Sequence, residues 1–332
     1  MQPRLQTVTP TAVIQPKPGI GDVLWHLPFI RAIAEAAPGG KIAFIAPPTS
    51  LARELLVAEP AVAETLYFQH TGNELERGLN LFRLIRLLRR QRFGTLWILD
   101  RTLRPAIAGL LAGIPKRIGL GLTAQRLFIT NAGVDRSHFH DFPIDALKEL
   151  MRTQNLNLVS TEPSLALPAD ALAAIDERFG HLPRPWIVFG IGASHPTKDW
   201  PLSHWRGFLP AFRRHQSGTI FLIGSANEQT RAETLAAGHP DIINTCGLPI
   251  IQSAALLKRA DLYAGPDSGP LNLAAAVGTE AYGLFGETSV LRYSRFIHAV
   301  RAGDNPAPTS MSAITPQRLL AAIAPALAHI AR

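Results

Sequence analysis

Short apolar segments alternate with segments of helical apolar spacing along most of the chain. The strand candidates include 41–46 (KIAFIA), 95–99 (TLWIL), 186–190 (WIVFG) and 219–223 (TIFLI), and a helix-like segment follows each of them. Regular alternation of buried strands and helices is typical of parallel sheets that helices cover on both faces. We therefore predict an α/β fold with doubly wound parallel sheets.

The alternation restarts after a proline-containing stretch in the middle of the chain. The length of 332 residues suits two α/β domains of about 150 residues each. We predict an N-terminal domain over 1–165, a linker over 166–185, a C-terminal domain over 186–315, and a final helix over 316–332 that packs back toward the N-terminal domain. Both domains are expected to be Rossmann-like, with sheets that face a central ligand-binding cleft.

Cysteine content and hydropathy indicate the compartment. A single cysteine, Cys246, excludes an internal disulfide and a cysteine-based metal cluster, which fits a reducing compartment. The first twenty residues contain four prolines and no continuous apolar run, so we predict neither a signal peptide nor a signal anchor. The longest apolar stretch near the end, 319–330, is too short to span a bilayer. We expect a cytoplasmic protein.

The net charge of +8 is concentrated in the first half of the chain, where residues 1–166 hold 19 Lys and Arg against 13 Asp and Glu. Much of this excess lies in one helix-like segment, which contains Arg83, Arg86, Arg89, Arg90 and Arg92 among apolar residues. Such a segment is either the solvated face of a packed helix or a docking element for the inner face of an anionic inner membrane. Nucleic acid is not expected as a partner, because no aromatic-plus-basic binding module accompanies the arginines.

The loop Gly19-Ile20-Gly21-Asp22 joins a first strand to a first helix. Gly19 and Gly21 let the backbone approach a ligand closely, while Asp22 at a helix start is either a cap or a functional carboxylate. The loop is not a dinucleotide fingerprint, because Leu24 stands where GxGxxG needs its third glycine.

A second glycine-containing turn, 265–270 (GPDSGP), follows a strand and opens a helix. Backbone amides and the helix dipole make such a turn a binding site for an anion such as a diphosphate. Asp267 would repel that anion, so we expect its carboxylate to shape the loop.

Two further loops follow strands of the second half. The loop 190–195 precedes Lys198, which either neutralises charge on a leaving phosphate or is an ordinary exposed lysine. After strand 219–223, Ser225, Asn227 and Glu228 either contact a ribose or base, or cap a helix. His138 and His140 have a spacing that could bind a metal, but no further ligand set has recognisable spacing, and we predict no metal. The chain contains neither a GxSxG elbow nor a GxxxxGK[ST] loop.

Five segments, taken in order, resemble glycosyltransferase family 9, the ADP-heptose:lipopolysaccharide heptosyltransferases and their relatives. They are GIGDVLWHLPFIRAIAEAAPGGKIAFI, FGTLWILDRTLRPAIAGLLAGIPKRIGL, KDWPLSHW, FLIGSANE and LLKRADLYAGPDSGPLNLAAAVGTEAYGLFGET. The resemblance implies a GT-B fold and inverting sugar transfer without a metal or other cofactor. It also implies that a nucleotide-diphosphate sugar, ADP-heptose, is the co-substrate, bound mainly in the C-terminal domain.

The resemblance also implies roles for individual residues. Asp22 matches the general base that deprotonates the acceptor hydroxyl, and Lys198 matches the lysine that stabilises the departing diphosphate. The donor contacts implied are a hydroxyl near the phosphates at Ser194, a carboxylate at the nucleoside at Glu228, and the D-[TS]-G turn at Asp267, Ser268 and Gly269. Asn272 stands where the family usually has histidine, and an amide cannot carry a proton at neutral pH.

We expect a monomeric enzyme that transfers heptose or a related sugar to a hydroxyl of the lipopolysaccharide core or of another cell-envelope glycan. The alternatives are a family member with another donor sugar or a non-lipopolysaccharide acceptor, and a catalytically silent nucleotide-sugar-binding protein. A GT-B sugar-nucleotide epimerase would need a set of carboxylates around the sugar, which the sequence does not show. A dehydrogenase is disfavoured by the incomplete glycine fingerprints.

Overall fold

A computed structural model describes residues 10–69, 74–140, 142–290, 293–303 and 308–330. The chain divides into two compact units, and the boundary between them lies between Thr161 and Glu162. No helix in these five ranges is long and apolar enough to cross a membrane.

The N-terminal unit alternates strands and helices along its whole described length. Its elements are β1 (Thr11–Ile14), α1 (Ile20–Ala36), β2 (Ile42–Ala46), α2 (Ala52–Leu55), β3 (Val62–Tyr67), α3 (Glu74–Gln91), β4 (Thr95–Ile98), α4 (Arg104–Leu111), β5 (Lys116–Gly119) and α5 (Pro143–Thr153).

Within this described part, five parallel strands form one sheet in the order β3-β2-β1-β4-β5. The central strand β1 is fully buried, with Val13 paired to Phe44 on one side and to Trp97 on the other. Strands buried on both faces must be apolar throughout, which explains the sequences TAVI and IAFIA. Helix α3 closes one face of the core through Leu84 and Leu88.

The C-terminal unit repeats this alternation with different lengths. Its elements are α6 (Ala169–Phe179), β6 (Trp186–Gly190), α7 (Leu202–Arg213), β7 (Thr219–Ile223), α8 (Gln229–Ala236), β8 (Ile242–Asn244), α9 (Ile250–Arg259), β9 (Leu262–Pro266), α10 (Gly269–Ala276), β10 (Ala281–Leu284), β11 (Ile297–Val300) and α11 (Pro316–Ile330).

Six parallel strands, counted over the described residues, form the C-terminal sheet in the order β11-β10-β9-β6-β7-β8. One face of this sheet packs on an aromatic cluster, in which the Phe189 ring lies edge-on to Phe208 and Phe212 at centroid distances of 5.1 and 5.2 Å. Trp200 and Trp205 complete the cluster, with ring centroids 4.7 Å apart. Both sheets confirm the predicted α/β class with parallel strands.

The segment predicted to be a linker, 166–185, differs from that prediction because most of it is the helix α6. Its apolar residues Ala171, Ile175 and Phe179 recur every four positions and are buried, so the helix is part of the C-terminal unit and packs on α9. Prolines before and after the helix gave the segment the composition of a linker.

The final helix α11 buries Leu319, Ile323 and Leu327 in the aromatic core of the C-terminal unit, where it packs on α7. Its packing toward the N-terminal domain stays a prediction.

Candidate active site

Each sheet has one point at which the direction of winding reverses. In the N-terminal unit that point lies between β1 and β4, and in the C-terminal unit it lies between β6 and β9. Loops at the carboxyl ends of two strands diverge there and leave a crevice, which is where open α/β sheets bind ligands. The glycine loops of the sequence fall at these two points.

Asp22 lies in the first turn of α1, which the loop 15–19 connects to the carboxyl end of β1. A Cβ atom at position 19 would lie 2.6 Å from Asp22 Oδ2, so only glycine at 19 lets the carboxylate fold over the helix start. Gly19 is the N-cap residue, and no side-chain cap hydrogen bond is formed there. Within the described chain no hydrogen bond or ion pair of the half-buried Asp22 carboxylate is found, so it is available to a ligand.

His26 ties this first turn to the neighbouring strand and was not singled out by the sequence. It lies one helical turn after Asp22 and is buried, with Nδ1 in contact with the Asp22 carbonyl oxygen. Its Nε2 lies 3.2 Å from the carbonyl oxygen of Leu99, which follows β4. Burial lowers the pKa of His26. The imidazole is therefore neutral at pH 7 and donates to one carbonyl at a time.

A buried glutamine holds the loops after β4 and β5 together. Gln125 is fully buried, and its Nε2 donates to the carbonyls of Asp100 and Thr102, both at 2.8 Å. Its Oε1 accepts the backbone N–H of Gly121 at 2.9 Å. The side chain of Asp100 in turn lies 3.7 Å from Lys17 Nζ in the loop before Asp22. These contacts join three loops at one edge of the sheet.

Lys198 and Asp267 form an ion pair between two loops of the C-terminal unit. Lys198 Nζ donates to Asp267 Oδ2 at 2.8 Å, although the residues are 69 positions apart. Asp267 is the first residue after β9, and its carboxyl group is almost fully buried. Because Lys198 neutralises this carboxylate, the negative charge of Asp267 does not prevent an anion from binding nearby.

The two residues after Lys198 fix its position. Asp199 accepts hydrogen bonds from Arg231 of α8 on both carboxylate oxygens, at 2.8 and 2.7 Å. Trp200 is fully buried in the aromatic cluster, and its Nε1 donates to the Ile314 carbonyl at 2.8 Å. The lysine therefore stands on a rigid base, and its own side chain is partly exposed.

Tyr263 of β9 occupies the space beside the glycines at the reversal point. A Cβ atom at Gly190 would lie 2.1 Å from Tyr263 Oη, and one at Gly265 would lie 2.5 Å from it. Burial raises the pKa of this phenol, and Asp267 raises it further while Ser268 opposes the change. The hydroxyl is thus a neutral group set directly under the Asp267-Ser268 turn. Sequence reasoning missed it, because a tyrosine in an apolar strand reads as core.

The turn that opens α10 contains buried polar atoms that form no hydrogen bond of normal geometry among the described residues, although Tyr263 and Ser268 lie close enough to influence each other. They are Tyr263 Oη, Ser268 Oγ and Asn272 Oδ1. Ser268 is the N-cap of α10, and Gly269 is the first helical residue. The Asn272 amide donates to the Ser268 carbonyl at 2.9 Å, which leaves its oxygen as an acceptor. Such atoms are costly to bury unless water or a ligand completes their bonding.

Glu228 lies where the loops after β6 and β7 meet. Its Oε2 accepts the N–H and the hydroxyl of Ser225 at 2.7 and 2.6 Å, which makes a capping box for the turn 226–228. A Cβ atom at Gly192 would lie 2.9 Å from Glu228 Oε1, so the glycine admits the carboxylate. Glu228 therefore caps a turn with one oxygen and faces the Gly192 loop with the other.

The remaining candidates lie farther from these contacts. Ser194 is exposed on the loop before Lys198. His138 and His140 belong to the turn 136–140, whose Phe139 carbonyl accepts a hydrogen bond from Arg101 at 2.7 Å. No group of three side chains that could hold a metal is found among the residues that the structure describes.

The structure thus gathers the candidates into two groups, one at the reversal point of each sheet. Gly19, Gly21 and Asp22 share one loop of the N-terminal unit. In the C-terminal unit the chain brings together a second group, with Glu228 on the adjoining loop: Lys198, Asp267, Ser268, Gly269 and Asn272.

Comparison with known proteins identifies the family. The family model of glycosyltransferase family 9 (heptosyltransferase) matches residues 81–309, a range that begins after Asp22 and includes Lys198 and Asp267. The lipopolysaccharide core heptosyltransferase OpsX of Haemophilus influenzae is 24% identical over 282 residues, which cover 82% of this chain and 78% of that protein. Lipopolysaccharide heptosyltransferase 1 of Pseudomonas aeruginosa is 32% identical over 105 residues, or 32% of this chain and 30% of that protein.

Solved structures share the fold over almost the whole chain. The E. coli ADP-heptose lipopolysaccharide heptosyltransferase II superposes with a TM-score of 0.77 at 23% identity, covering 98% of this chain and 100% of that one. E. coli heptosyltransferase WaaC with ADP-2-deoxy-2-fluoro heptose gives a TM-score of 0.74 at 18% identity, covering 96% and 99%. The two parallel sheets are those of the GT-B fold. The chain belongs to glycosyltransferase family 9 and is a glycosyltransferase.

Proposed function

We propose that the chain is an inverting, metal-independent heptosyltransferase. In this proposal it transfers heptose, or a related sugar, from a nucleotide diphosphate donor, ADP-heptose, to a hydroxyl of the lipopolysaccharide core or of another cell-envelope glycan. The family and the names of the relatives support the reaction class. The observation that carries the mechanism is the Asp22 carboxylate, which folds over Gly19 at the carboxyl edge of the sheet and has no bond to the helix that it would otherwise cap.

Asp22 is proposed to act as the general base. Its carboxylate takes the proton of the acceptor hydroxyl while that oxygen forms a bond to the anomeric carbon of the donor sugar. His26 holds the backbone of the same helical turn through the Asp22 carbonyl. A base that is fixed in this way needs no reorientation when the acceptor arrives, which lowers the entropic cost of the reaction.

Lys198 is proposed to stabilise the leaving group. As the bond between the anomeric carbon and the diphosphate oxygen breaks, its electron pair passes to the nucleoside diphosphate. Lys198 can face that charge with two of its protons while the third stays on Asp267. In this proposal the positive charge of Lys198 takes the role that a metal ion has in other transferases. We therefore expect sugar transfer to continue in the presence of a chelator.

The turn at α10 is proposed to bind the donor phosphates. Ser268 Oγ and Asn272 Oδ1 are buried and form no hydrogen bond of normal geometry within the described residues, and the turn stands at a helix start. The serine and the first amides of the helix suit phosphate oxygens, while the amide oxygen of Asn272 suits a hydroxyl of the sugar. Ser194 and the free oxygen of Glu228 are the remaining donor contacts in this proposal, toward the phosphates and the nucleoside.

The proposed acceptor site lies in the N-terminal unit, around the loops that Gln125 joins. We also propose a cytoplasmic monomer that meets its acceptor at the inner face of the inner membrane. The names of the relatives, which are lipopolysaccharide heptosyltransferases, support this meeting place.

The test compares Asp22→Asn with the wild-type chain. Loss of a general base should lower kcat by about 100-fold to 10,000-fold, while calorimetric ADP binding stays unchanged. Glu35→Gln is the matched control, because Glu35 is an exposed carboxylate on the same helix. Wild-type kcat in Asp22→Asn would exclude Asp22 as the base. Release of ADP from the donor in the absence of acceptor would favour a hydrolase or an epimerase instead.

A further inference from the structure

Helix α3 has an inner face that packs on the sheet and an outer face with unusual composition. The inner face buries Leu84 and Leu88 in the core of the N-terminal unit. The outer face carries Leu75, Leu79 and Phe82, whose exposed fractions are 76%, 49% and 62%. A packed helix normally shows polar residues to solvent, so three large apolar side chains there need an explanation.

Exposed arginines continue the same face. At 100° per residue, a single arc of roughly 80° contains five side chains, namely Leu75, Leu79, Phe82, Arg86 and Arg90. Arg83 stands beside this arc, and Arg83, Arg86 and Arg90 line one shallow groove of about 510 Å³. The three guanidinium groups all lie on exposed residues.

On this outer face the apolar and basic residues occupy different halves of the helix. Leu75, Leu79 and Phe82 lie in its first half, and Arg83, Arg86 and Arg90 lie in its second half. Arg77 of the first half lies outside the arc. The acidic residues in the sequence of this helix stand at 74 and 76, at its N-terminal end. The basic half therefore has no acidic residue of its own helix to neutralise it.

The neighbouring helix α4 adds to this surface. Leu110 and Leu111 at its end are 45% and 49% exposed. Arg89 of α3 donates two hydrogen bonds to the Leu111 carbonyl, at 3.2 and 2.7 Å, so the two helix ends are fixed together.

We propose that this surface docks the enzyme on a bilayer that contains anionic phospholipid. We call it the docking face and define it by Leu75, Leu79, Phe82, Arg83, Arg86, Arg90, Leu110 and Leu111. The apolar residues insert between lipid headgroups, and the arginines bind the lipid phosphates. Exposed leucine and phenylalanine beside arginine is the composition of helices that lie in a membrane interface, and the charge is complementary to anionic lipid.

The position of α3 gives the docking a direction. In a parallel β-α-β unit the helix runs opposite to the strands, so the start of α3 lies near the carboxyl end of β3. The loop of Asp22 follows β1 at that same edge of the sheet. Docking through the first half of α3 would therefore bring this edge toward the membrane surface. The inference goes beyond the proposed transfer chemistry and does not depend on the role of Asp22.

The test measures co-sedimentation of the full chain with phosphatidylcholine vesicles, with and without phosphatidylglycerol. Wild-type protein should bind the phosphatidylglycerol vesicles more tightly, and less so at high salt. Arg86→Gln with Arg90→Gln should weaken the binding to these vesicles about 25-fold, because each charge contributes about fivefold. Leu79→Ser with Phe82→Ser should weaken it by at least about tenfold through lost apolar burial.

Two matched pairs serve as controls. Arg206→Gln with Arg214→Gln removes the same charge from exposed positions at α7. Val57→Ser with Val159→Ser removes apolar side chains that are 65% and 87% exposed elsewhere in the N-terminal unit. Both control pairs should bind like the wild type. All four pairs should unfold at the wild-type temperature, and all four should transfer sugar to a delipidated acceptor at the wild-type rate.

Several results would overturn the proposal. One is a wild-type protein that does not bind phosphatidylglycerol vesicles. Another is a control pair that loses as much vesicle binding as the docking-face pairs. Slower transfer to the delipidated acceptor by either docking-face pair would show an acceptor contact instead. A wild-type dimer that Leu79→Ser with Phe82→Ser dissociates would show that a second copy covers this face. If one pair does not fold, the other pair decides the question.

Discussion

The hydroxyl of Tyr263 lies where a side chain of Gly190 would begin, with Oη 2.1 Å from the position of a Cβ atom at residue 190. Both residues lie on central strands that pair with each other, β6 and β9. The phenol therefore fills the space under the α10 turn that the glycine leaves open, and the two residue types depend on each other.

The first prediction concerns this pair. Gly190→Ala should lower the free energy of unfolding by about 1 to 3 kcal/mol, because the added methyl overlaps the phenol in a closely packed core. Tyr263→Phe should relieve only part of that cost, because the ring carbon Cζ still lies 2.9 Å from the new methyl. Urea unfolding of the single and double variants measures both effects. Gly303→Ala is the control, because nothing lies within 4 Å of a Cβ atom there and the residue lies outside any helix.

A second prediction concerns Lys198. Lys198→Ala should lower kcat by about 100-fold or more, because the leaving diphosphate loses its nearest cation. Asp267→Asn should lower kcat less, because the Lys198 ammonium group remains even though its ion pair with residue 267 is lost. Steady-state kinetics with varied donor, together with ADP binding by calorimetry, separates the two effects. Equal kcat values for Lys198→Ala and the wild type would show that Lys198 does not stabilise the leaving diphosphate.

The third prediction concerns stability and pH. The pKa of His26 is lowered by burial, so below its ordinary value of about 6.5 the unfolded chain binds a proton that the folded chain does not. Stability should therefore be constant above about pH 6.5 and should fall as the pH drops below it, by up to about 1.4 kcal/mol per pH unit.

Chemical denaturation between pH 5 and pH 8 measures this effect, over the range in which histidine titrates. His26→Gln should flatten the acid side of the profile. His239→Gln changes an exposed histidine and should leave the profile unchanged. A wild-type profile that is flat through this range would contradict the prediction.

The fourth prediction concerns Cys246, which lies beside Gly224 and Glu228. Burial raises the pKa of the Cys246 thiol to about 12, and the Glu228 charge adds to the shift. Only the thiolate reacts with disulfide reagents, so at pH 8 the folded protein should react about a thousandfold more slowly than a free thiol. Ellman's reagent measures the rate, and the urea-unfolded chain is the control. Glu228→Gln should raise the folded rate.

Much of the sheet could be predicted because its strands are buried on both faces. Segments such as TIFLI at 219–223 are buried along their whole length, as a central strand between two helical layers is. The predicted and observed bounds of this strand agree. The strands β5 and β11 were missed because each lies at a sheet edge among the described residues, where one side is unpaired and tolerates charged or polar residues, as in KRIG and IHAV. Helix α6 was missed because flanking prolines resemble those of a linker.

The candidate loops could be predicted, but their contacts could not. A glycine loop after a buried strand marks the carboxyl edge of a sheet, which placed Gly19 and Gly269 correctly at such edges. The ion pair of Lys198 with Asp267 spans 69 residues and depends on the packing of two loops. The roles of Gln125 and Tyr263 could not be predicted from neighbouring residues in the sequence. They depend on contacts that form only when distant segments pack together.

The anchoring of Lys198, Asp199 and Trp200 limits how this gene can vary. The three consecutive side chains bind three different elements, so each of them fixes the register of the other two. Substitutions at 195–197, in the exposed turn before them, change only local contacts. An insertion or deletion of one residue in this turn would stretch or buckle it without moving the tryptophan. Between Ser194 and Lys198, length rather than composition is therefore what the chain must keep through evolution or engineering.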